Sequence, residues 1–375
     1  VVWNDALAFC KESEKLPSYN ELSKRLTQSK KTEEKEWLNN VSSVPLQQSI
    51  RHLSVAYKNF FDSIKGKRKG KKINSPKFKS RRSKQSATFV SSGFVLKDNN
   101  RIYLAKIGFL DVVWSRPLPS APSSVTVIKD AANRYFVSFV LEVNPVLLPD
   151  NGQAVGVDLG IIDFAALSNG EKIKSPKPLK TKLKRLRKCQ RNLARKQKGS
   201  KRREKARLRV AKLHAKVKDT RTDFLHKLST RLIRENQTII LEDLNTSGML
   251  KNPRLSRAIS DLGWRSFRTM LEAKSVMYGR EFRVISRWEP TSQRCSCCGE
   301  IGGKKGLSVR EWSCLFCGSI HDRDINAAIN IKVAGGHSET SETQNGRGGK
   351  RKSTSVVAPV ESSTRSLTTQ LSLFG

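Results

Sequence analysis

The sequence predicts a multidomain α/β chain, and three observations carry that reading. Helical periodicity fills roughly the first 65 residues, strand alternation runs from Ser86 to Val143, and beyond residue 149 short β-branched runs interleave with long helical stretches. In the first region Trp3, Ala6, Leu7, Phe9 and Cys10 recur at helical spacing, as do Ile50, Leu53, Tyr57, Phe60 and Phe61. Lys65 to Arg82 is a basic loop broken at Ser75-Pro76, so residues 1–85 read as a helical lobe with a basic loop. Alternation in Ala87-Thr-Phe-Val, Arg101-Ile-Tyr-Leu and Tyr135 to Leu141, with turns at Asn99-Asn100 and Ala132 to Arg134, predicts a small barrel or sandwich over 86–148. Asn144-Pro145 and Pro149 to Gly152 supply the breakers of a domain boundary. After it, Ala154 to Leu159 and Ile161 to Leu167 read as strands of an RNase H-like sheet, within a core spanning 149–290. Lys177 to Arg234 reads as a helical hairpin broken at Lys198-Gly-Ser200, Gln237 to Leu244 as a strand, Trp264 to Tyr278 as a helix and Glu281 to Trp288 as a strand. Two Cys-x-x-Cys-Gly knuckles form a ribbon over 291–320, a last core helix occupies 321–335, and the Gly/Ser/Thr-rich residues 336–375 read as a disordered tail.

Charge sets the partner class. With 72 basic against 33 acidic residues in 375, the net charge is +39, far beyond what solubility needs, so a polyanion is expected. A membrane-seeking protein is the alternative. Against it, no run of about 18 apolar residues occurs and no signal peptide is visible; the location expected, from the cysteines, is the cytoplasm. Seven cysteines, four of them at metal-like spacing, fit a reducing compartment better than a disulfide framework. The hairpin region 177–235 holds about two dozen Lys and Arg against Glu204, Asp219, Asp223 and Glu235; such a one-sided surface suits the backbone of a nucleic-acid duplex.

Three carboxylates stand in apolar-flanked motifs: Asp158 in Val155-Gly-Val-Asp-Leu-Gly160, Glu242 in Ile239-Ile-Leu-Glu-Asp-Leu244, and Asp324 in His321-Asp-Arg-Asp-Ile-Asn-Ala-Ala328. Two end buried strands and the third opens a helix; Gly156 and Gly160 on either side of the first let a backbone or phosphate approach closely. A charge in such a place is costly unless it is paired or binds metal. Carboxylates converging from two strands and a helix can hold two divalent cations, the arrangement that serves phosphodiester hydrolysis. Each acid has a plainer competitor. Asp163 is read as a pairing or surface residue, and Asp243 must face away from Glu242 by strand alternation. Asp322 is read as the helix cap and Asp324 as the ligand, with Ala327 and Ala328 letting that helix approach the sheet. Oxygen ligands without histidine favour Mg2+ or Mn2+. Cys295, Cys298, Cys314 and Cys317 fit a closed, structural Zn2+ site. Cys297 could replace a neighbour as ligand but lacks a following glycine, Cys10 and Cys189 lie in helical patterns, and His321 is surplus to the site and read as a cap or phosphate contact. Core packing is the expected role of most of Trp264, Trp288 and Trp312.

Together Gly156-Val-Asp-Leu-Gly160, Leu241-Glu-Asp-Leu244, the four knuckle cysteines and Asp322 to Asn330 resemble the RuvC-type core of the TnpB family, insertion-sequence proteins related to the CRISPR type V effectors. Val2 to Leu7 and Pro45 to Arg51 resemble that family's N-terminal helical region. The resemblance implies a RuvC nuclease core with an inserted zinc ribbon, behind a helical recognition lobe and a wedge-like β-barrel domain. It selects Glu242 over Asp243. It also implies RNA-guided DNA cleavage, with Asp158, Glu242 and Asp324 as the metal-binding catalytic acids, a guide RNA from the transposon end and a double-stranded DNA target as partners. A bacterial, nucleoid-associated monomer or weak dimer is expected. Because the chain opens Val-Val-Trp, and the family usually carries a strand-forming segment earlier, an N-terminal truncation is expected too. Two rival functions share these features: a nuclease-dead nucleic-acid-binding regulator, against which the intact acids argue, and a strand-transfer transposase, against which the nested ribbon argues.

Overall fold

The computed structural model describes residues 1–68, 70–80, 85–97, 101–306 and 308–337. The predicted turn at Asn99-Asn100 and all of the predicted tail except Gly336 and His337 lie outside the described residues. Two compact units divide the chain, one covering Val1–Val143 and the other beginning at Asn144.

In the first unit, α1 (Val2–Glu12), α2 (Tyr19–Ser29) and α3 (Ser43–Ile64) share a core of Leu7, Cys10, Leu22, Leu38, Ile50, Leu53 and Tyr57. Helix α2 starts with a reciprocal cap: the Glu21 amide donates to the Ser18 hydroxyl and the Ser18 amide to the Glu21 carboxylate, which satisfies two otherwise orphaned donors. Part of the predicted basic loop is laid against α1. The Trp3 indole donates to the Lys77 carbonyl at 3.1 Å, and Asn4 exchanges two hydrogen bonds with the Lys79 backbone at 2.9 and 2.8 Å.

The β region of this unit contains β1 (Gln85–Val90), β2 (Phe94–Lys97), β3 (Arg101–Leu104), β4 (Gly108–Asp111), β5 (Ser124–Lys129) and β6 (Tyr135–Val140). They pair as two separate antiparallel sheets, β1-β5-β6 and β2-β3-β4, around Phe89, Phe94, Ile102, Leu104, Val125 and Phe139. The barrel expectation is therefore corrected: no closed ring of paired strands forms among the described residues. A 3-10 turn at Ser91–Gly93 takes the chain out of the first sheet, and Pro117, Pro119 and Pro122, which have no N–H, precede β5.

The second unit is a layered α/β core. Its sheet has the order β11-β10-β7-β8-β9, from β7 (Ala154–Leu159), β8 (Ala165–Leu167), β9 (Lys172–Ile173), β10 (Thr238–Glu242) and β11 (Glu281–Ile285). Strand β10 runs parallel to both β7 and β11, whereas β7, β8 and β9 are antiparallel. Strand parity assigns the two faces. Val155, Val157, Ile239 and Leu241 pack with α5 (Lys201–Glu235), α7 (Ser256–Leu262) and α8 (Trp264–Tyr278) through Leu225, Leu232, Ile259, Trp264, Phe267 and Leu271. Ala154 and Ile240 face the other way, with Ile331 of α9 (Arg323–Ala334).

The predicted hairpin forms as α4 (Pro178–Ala194) and α5, turned by Gly199 and capped by the Ser200 hydroxyl, which accepts from the Arg203 amide. Helix α4 has no cap of its own. Its first free amides, Leu179 and Lys180, donate at 3.0–3.1 Å to the buried carboxylate of Asp261 on α7, an acid the sequence reading did not single out. Helix α6 (Thr246–Met249) follows β10. The predicted strand Ile161–Leu167 shortens to Ala165–Leu167, because residues 161–164 turn, with the Gly160 amide bonded to the Phe164 carbonyl. Among the tryptophans, Trp264 is core and Trp312 half-buried, whereas Trp288, 86 % exposed, is the exception that an expectation for most of them allows.

Candidate active site

Strand register brings the first two acids together. Pairing of Leu241 with Val157 leaves Asp158 and Glu242 next in line on adjacent parallel strands, at their C-terminal ends and on the face that α9 covers. Asp243 takes the opposite face, where Arg268 and Arg287 hold its carboxylate and lower its pKa. Asp243 is thus already neutralised, whereas burial and the adjacent Asp243 raise the pKa of Glu242.

Helix α9 delivers the third acid, and its approach depends on small residues. Ala327 and Ala328 are buried, and at Gly156 a β-carbon would lie 2.1 Å from the Ala328 carbonyl oxygen and 2.6 Å from the Lys332 amide. Strand and helix backbones therefore meet at that position, which only glycine permits. Asp322 caps α9, accepting from the Asp324 and Ile325 amides at 3.1 and 3.0 Å, and is paired with Lys172 at 2.5 Å. Its pKa is lowered against the opposing effect of burial. Asp324 meets Arg310 at 3.5 Å, a long contact.

The electrostatic signature is concentrated on Asp158, whose pKa is raised to about 7 by burial, then by Asp324, then by Glu242. Like charges brought together in a low-dielectric site resist ionisation unless a cation joins them. Among the described residues, groups of three or more ligand atoms within 4.8 Å of one another are confined to the cysteine ribbon.

The ribbon comprises both knuckles together with β12 (Glu311–Ser313) and β13 (Ile320–Asp322). Cys295, Cys298, Cys314 and Cys317 converge, with sulfur separations of 3.7 Å (Cys295 to Cys317) and 3.6 Å (Cys298 to Cys314). A tetrahedral zinc with bonds of about 2.3 Å requires edges of about 3.8 Å, so the quartet fits zinc. The knuckles repeat one geometry: the Gly299 and Gly318 amides donate to the Cys295 and Cys314 carbonyls, both glycines at positive φ. Cys317 is pushed down to about 6 by hydrogen bonding to Ser319.

The reading of His321 as a cap or phosphate contact is corrected. It is buried, its Nε2 stands 3.0 Å from the Cys295 sulfur, and its ring packs on Trp312. Sequence reading also passed over Asn326 and Asn330, buried amides on α9 that bind the segment entering the first knuckle. Asparagine twice within a helix, at i and i+4, was the available signal, since its low helix propensity calls for another reason.

Comparison with known proteins gives the chain its relatives. The OrfB_IS605 family model, described as "Probable transposase", matches residues 138–253, and the "Cas12f1-like, TNB domain" model matches residues 264–331. A Streptomyces pristinaespiralis protein named "Putative RNA-guided DNA endonuclease" is 50 % identical over 322 residues, 85 % of this chain and 78 % of that one. The chain belongs to the TnpB family. An Escherichia coli K12 relative, "Putative RNA-guided DNA endonuclease InsQ", is 30 % identical over 355 residues, 89 % of this chain and 86 % of its own. Among solved structures, a Cas12f1-sgRNA-target DNA complex aligns at a TM-score of 0.49 and 14 % identity, over 77 % of this chain and 70 % of that one. Among the described residues no helix is long and apolar enough to cross a membrane.

Proposed function

We propose that this TnpB-family chain is an RNA-guided, metal-dependent DNA endonuclease encoded by an insertion sequence. Asp158, Glu242 and Asp324 are its catalytic acids. The observation that carries the reading is Asp158: a carboxyl at a strand edge, raised to about 7 by burial and by two further acids, Asp324 and Glu242. Membership of a family whose relatives are named as RNA-guided DNA endonucleases supports the reaction class.

Mg2+ or Mn2+, when bound at these three carboxylates, supplies the Lewis acid that phosphodiester hydrolysis requires. The chain's own residues account for the rest. Gly156 and Ala328 set the depth of α9, and Asp322, neutralised by Lys172, keeps the helix start fixed and leaves Asp324 available. Arg268 and Arg287 hold Asp243 out of the acidic cluster. The ribbon carries structural Zn2+ on Cys295, Cys298, Cys314 and Cys317. The α4–α5 surface, basic nearly throughout, supplies contacts to the backbone of a guide RNA and a double-stranded DNA target without reading sequence. We retain the domain reading of a helical recognition lobe, a wedge-like β region, a RuvC core split around the zinc ribbon, and a tail.

The direct test is cleavage of supercoiled plasmid by the chain with its copurifying RNA, in Mg2+ and in EDTA. Metal-dependent cutting that disappears in Asp158→Ala supports the reading, and equal cutting by that variant overturns it.

A further inference from the structure

Helix α9 works on two sides at once. One side, through Ala328 and Ile331, lies on the sheet that carries Asp158 and Glu242. The other side presents Asn326 and Asn330, one turn apart and both buried. The Asn326 Nδ2 donates to the Arg294 carbonyl at 2.8 Å, and its Oδ1 accepts from the Ser296 amide at 2.9 Å. The Asn330 Nδ2 donates to the Thr291 carbonyl at 2.8 Å and the Arg294 carbonyl at 2.7 Å. Arg294 and Ser296 are the two residues flanking Cys295, the first cysteine of the quartet. His321, two residues before the start of α9, stands against the same sulfur.

These contacts are a clasp between the thiolate knuckle and the helix that carries Asp324. A helix interior selects against asparagine, and a buried amide must find partners. Among the described residues, the backbone groups that these two side-chain amides bind belong to residues 291–296. Zinc at Cys295 would help to order that segment, because small thiolate modules couple metal binding to local folding. The two sites are therefore linked, and linkage is reciprocal.

We propose that Asn326 and Asn330 are positioning residues that couple zinc occupancy of the ribbon to divalent-cation binding at Asp158, Glu242 and Asp324. The inference rests on the reading that those acids bind Mg2+ or Mn2+. Zinc loss frees the 291–296 segment, removes the partners of both amides and loosens the helix start that holds Asp324. The ribbon then acts as a zinc-sensitive switch on the nuclease centre. In the reverse direction, weakening the clasp lowers the ribbon's hold on zinc, by about the 10–100-fold that loss of outer-sphere partners costs a metal site.

The test uses the full chain and follows two metals separately. Zinc affinity is measured by competition with a chromophoric chelator, and Mn2+ binding by its electron paramagnetic resonance signal. In the parent, Mn2+ binding that Asp324→Ala abolishes verifies the underlying reading; Mn2+ binding indifferent to Asp324→Ala refutes that reading independently of the coupling. As zinc is titrated out of the parent, the coupling predicts that Mn2+ affinity falls in step and returns when zinc is restored. Asn326→Asp and Asn330→Asp, which keep shape but lose the donor, are expected to bind zinc roughly tenfold or more weakly. They are expected to recover Mn2+ binding at high zinc, which damage to the helix alone would not allow. Mn2+ affinity unchanged on zinc removal, or zinc affinity unchanged in both variants, overturns the proposal. Failure of the variants to fold leaves the parent titration to decide it.

Discussion

Replacing Gly156 with alanine adds one methyl group at the closest strand–helix approach around the acids. The new carbon would lie 2.1 Å from the Ala328 carbonyl oxygen and 2.6 Å from the Lys332 amide, against ordinary contact at 3.4–4 Å. Both obstacles are backbone, so no rotamer change relieves them, and α9 must retreat from β7 by about 1 Å. Overpacking of this kind costs about 1–3 kcal/mol in stability. Its effect on function is larger in proportion, because a displacement of about 1 Å of a reacting group can cost about 100-fold in rate. Single-turnover cleavage at saturating Mg2+ is therefore expected to fall about 100-fold, with a modestly lower melting temperature and unchanged RNA affinity. Ala328→Gly should not rescue it, since the clash is with the carbonyl oxygen and not the methyl group. Cleavage by Gly156→Ala within about threefold of the parent, or rescue by Ala328→Gly, would refute the reasoning.

The remaining predictions concern the acids, their titration and the ribbon. Asp158→Ala, Glu242→Ala and Asp324→Ala should each abolish Mg2+-dependent cutting while RNA binding stays within a fewfold of the parent. Asp322→Ala should cost about 1 kcal/mol through the lost cap and spare more activity; if it abolishes cutting and Asp324→Ala does not, the two roles are reversed. Asp158 titrates in the metal-free protein at about 7 instead of 3.8, so the folded state holds its proton more tightly than the unfolded state. Stability of the metal-free chain should therefore fall as pH rises from about 4 to about 7, by up to about 4 kcal/mol from this group, and Asp158→Asn should flatten that dependence in chemical denaturation. Metal analysis should find one zinc per chain, with Cys297→Ser nearly silent; a zinc-free purified protein contradicts the ribbon assignment.

Much of the core was legible because each motif has a local physical cause. The β-branched run Ile239-Ile-Leu ends on a charge, and that alone marks a strand edge needing a partner for Glu242. Gly156 announced a close approach, and Ala327 and Ala328 identified the surface that makes it. Knuckle glycines were readable because Gly299 and Gly318 take positive φ. What escaped was set by long-range contacts. Asp261 caps a helix about eighty residues earlier in the chain, His321 meets a cysteine across the ribbon, and the two amides of α9 reach back to residues 291–296. Alternation in the β region gave strands but not their pairing, since register and closure depend on partners that a pattern of period two does not specify. Trp288 is exposed despite its size, and its position after β11 places it in a connection where no core is available.

The central claim is that the protein supplies the cut and an RNA supplies the address. Its most direct test is cleavage of a plasmid library carrying randomised targets by the chain in Mg2+, with and without the noncoding RNA from its transposon end. Cutting is predicted only with the RNA, at sites complementary to its guide and beside a short flanking DNA motif, and not by Asp158→Ala. Efficient sequence-specific cutting without RNA would contradict the account and favour a DNA strand-transfer enzyme.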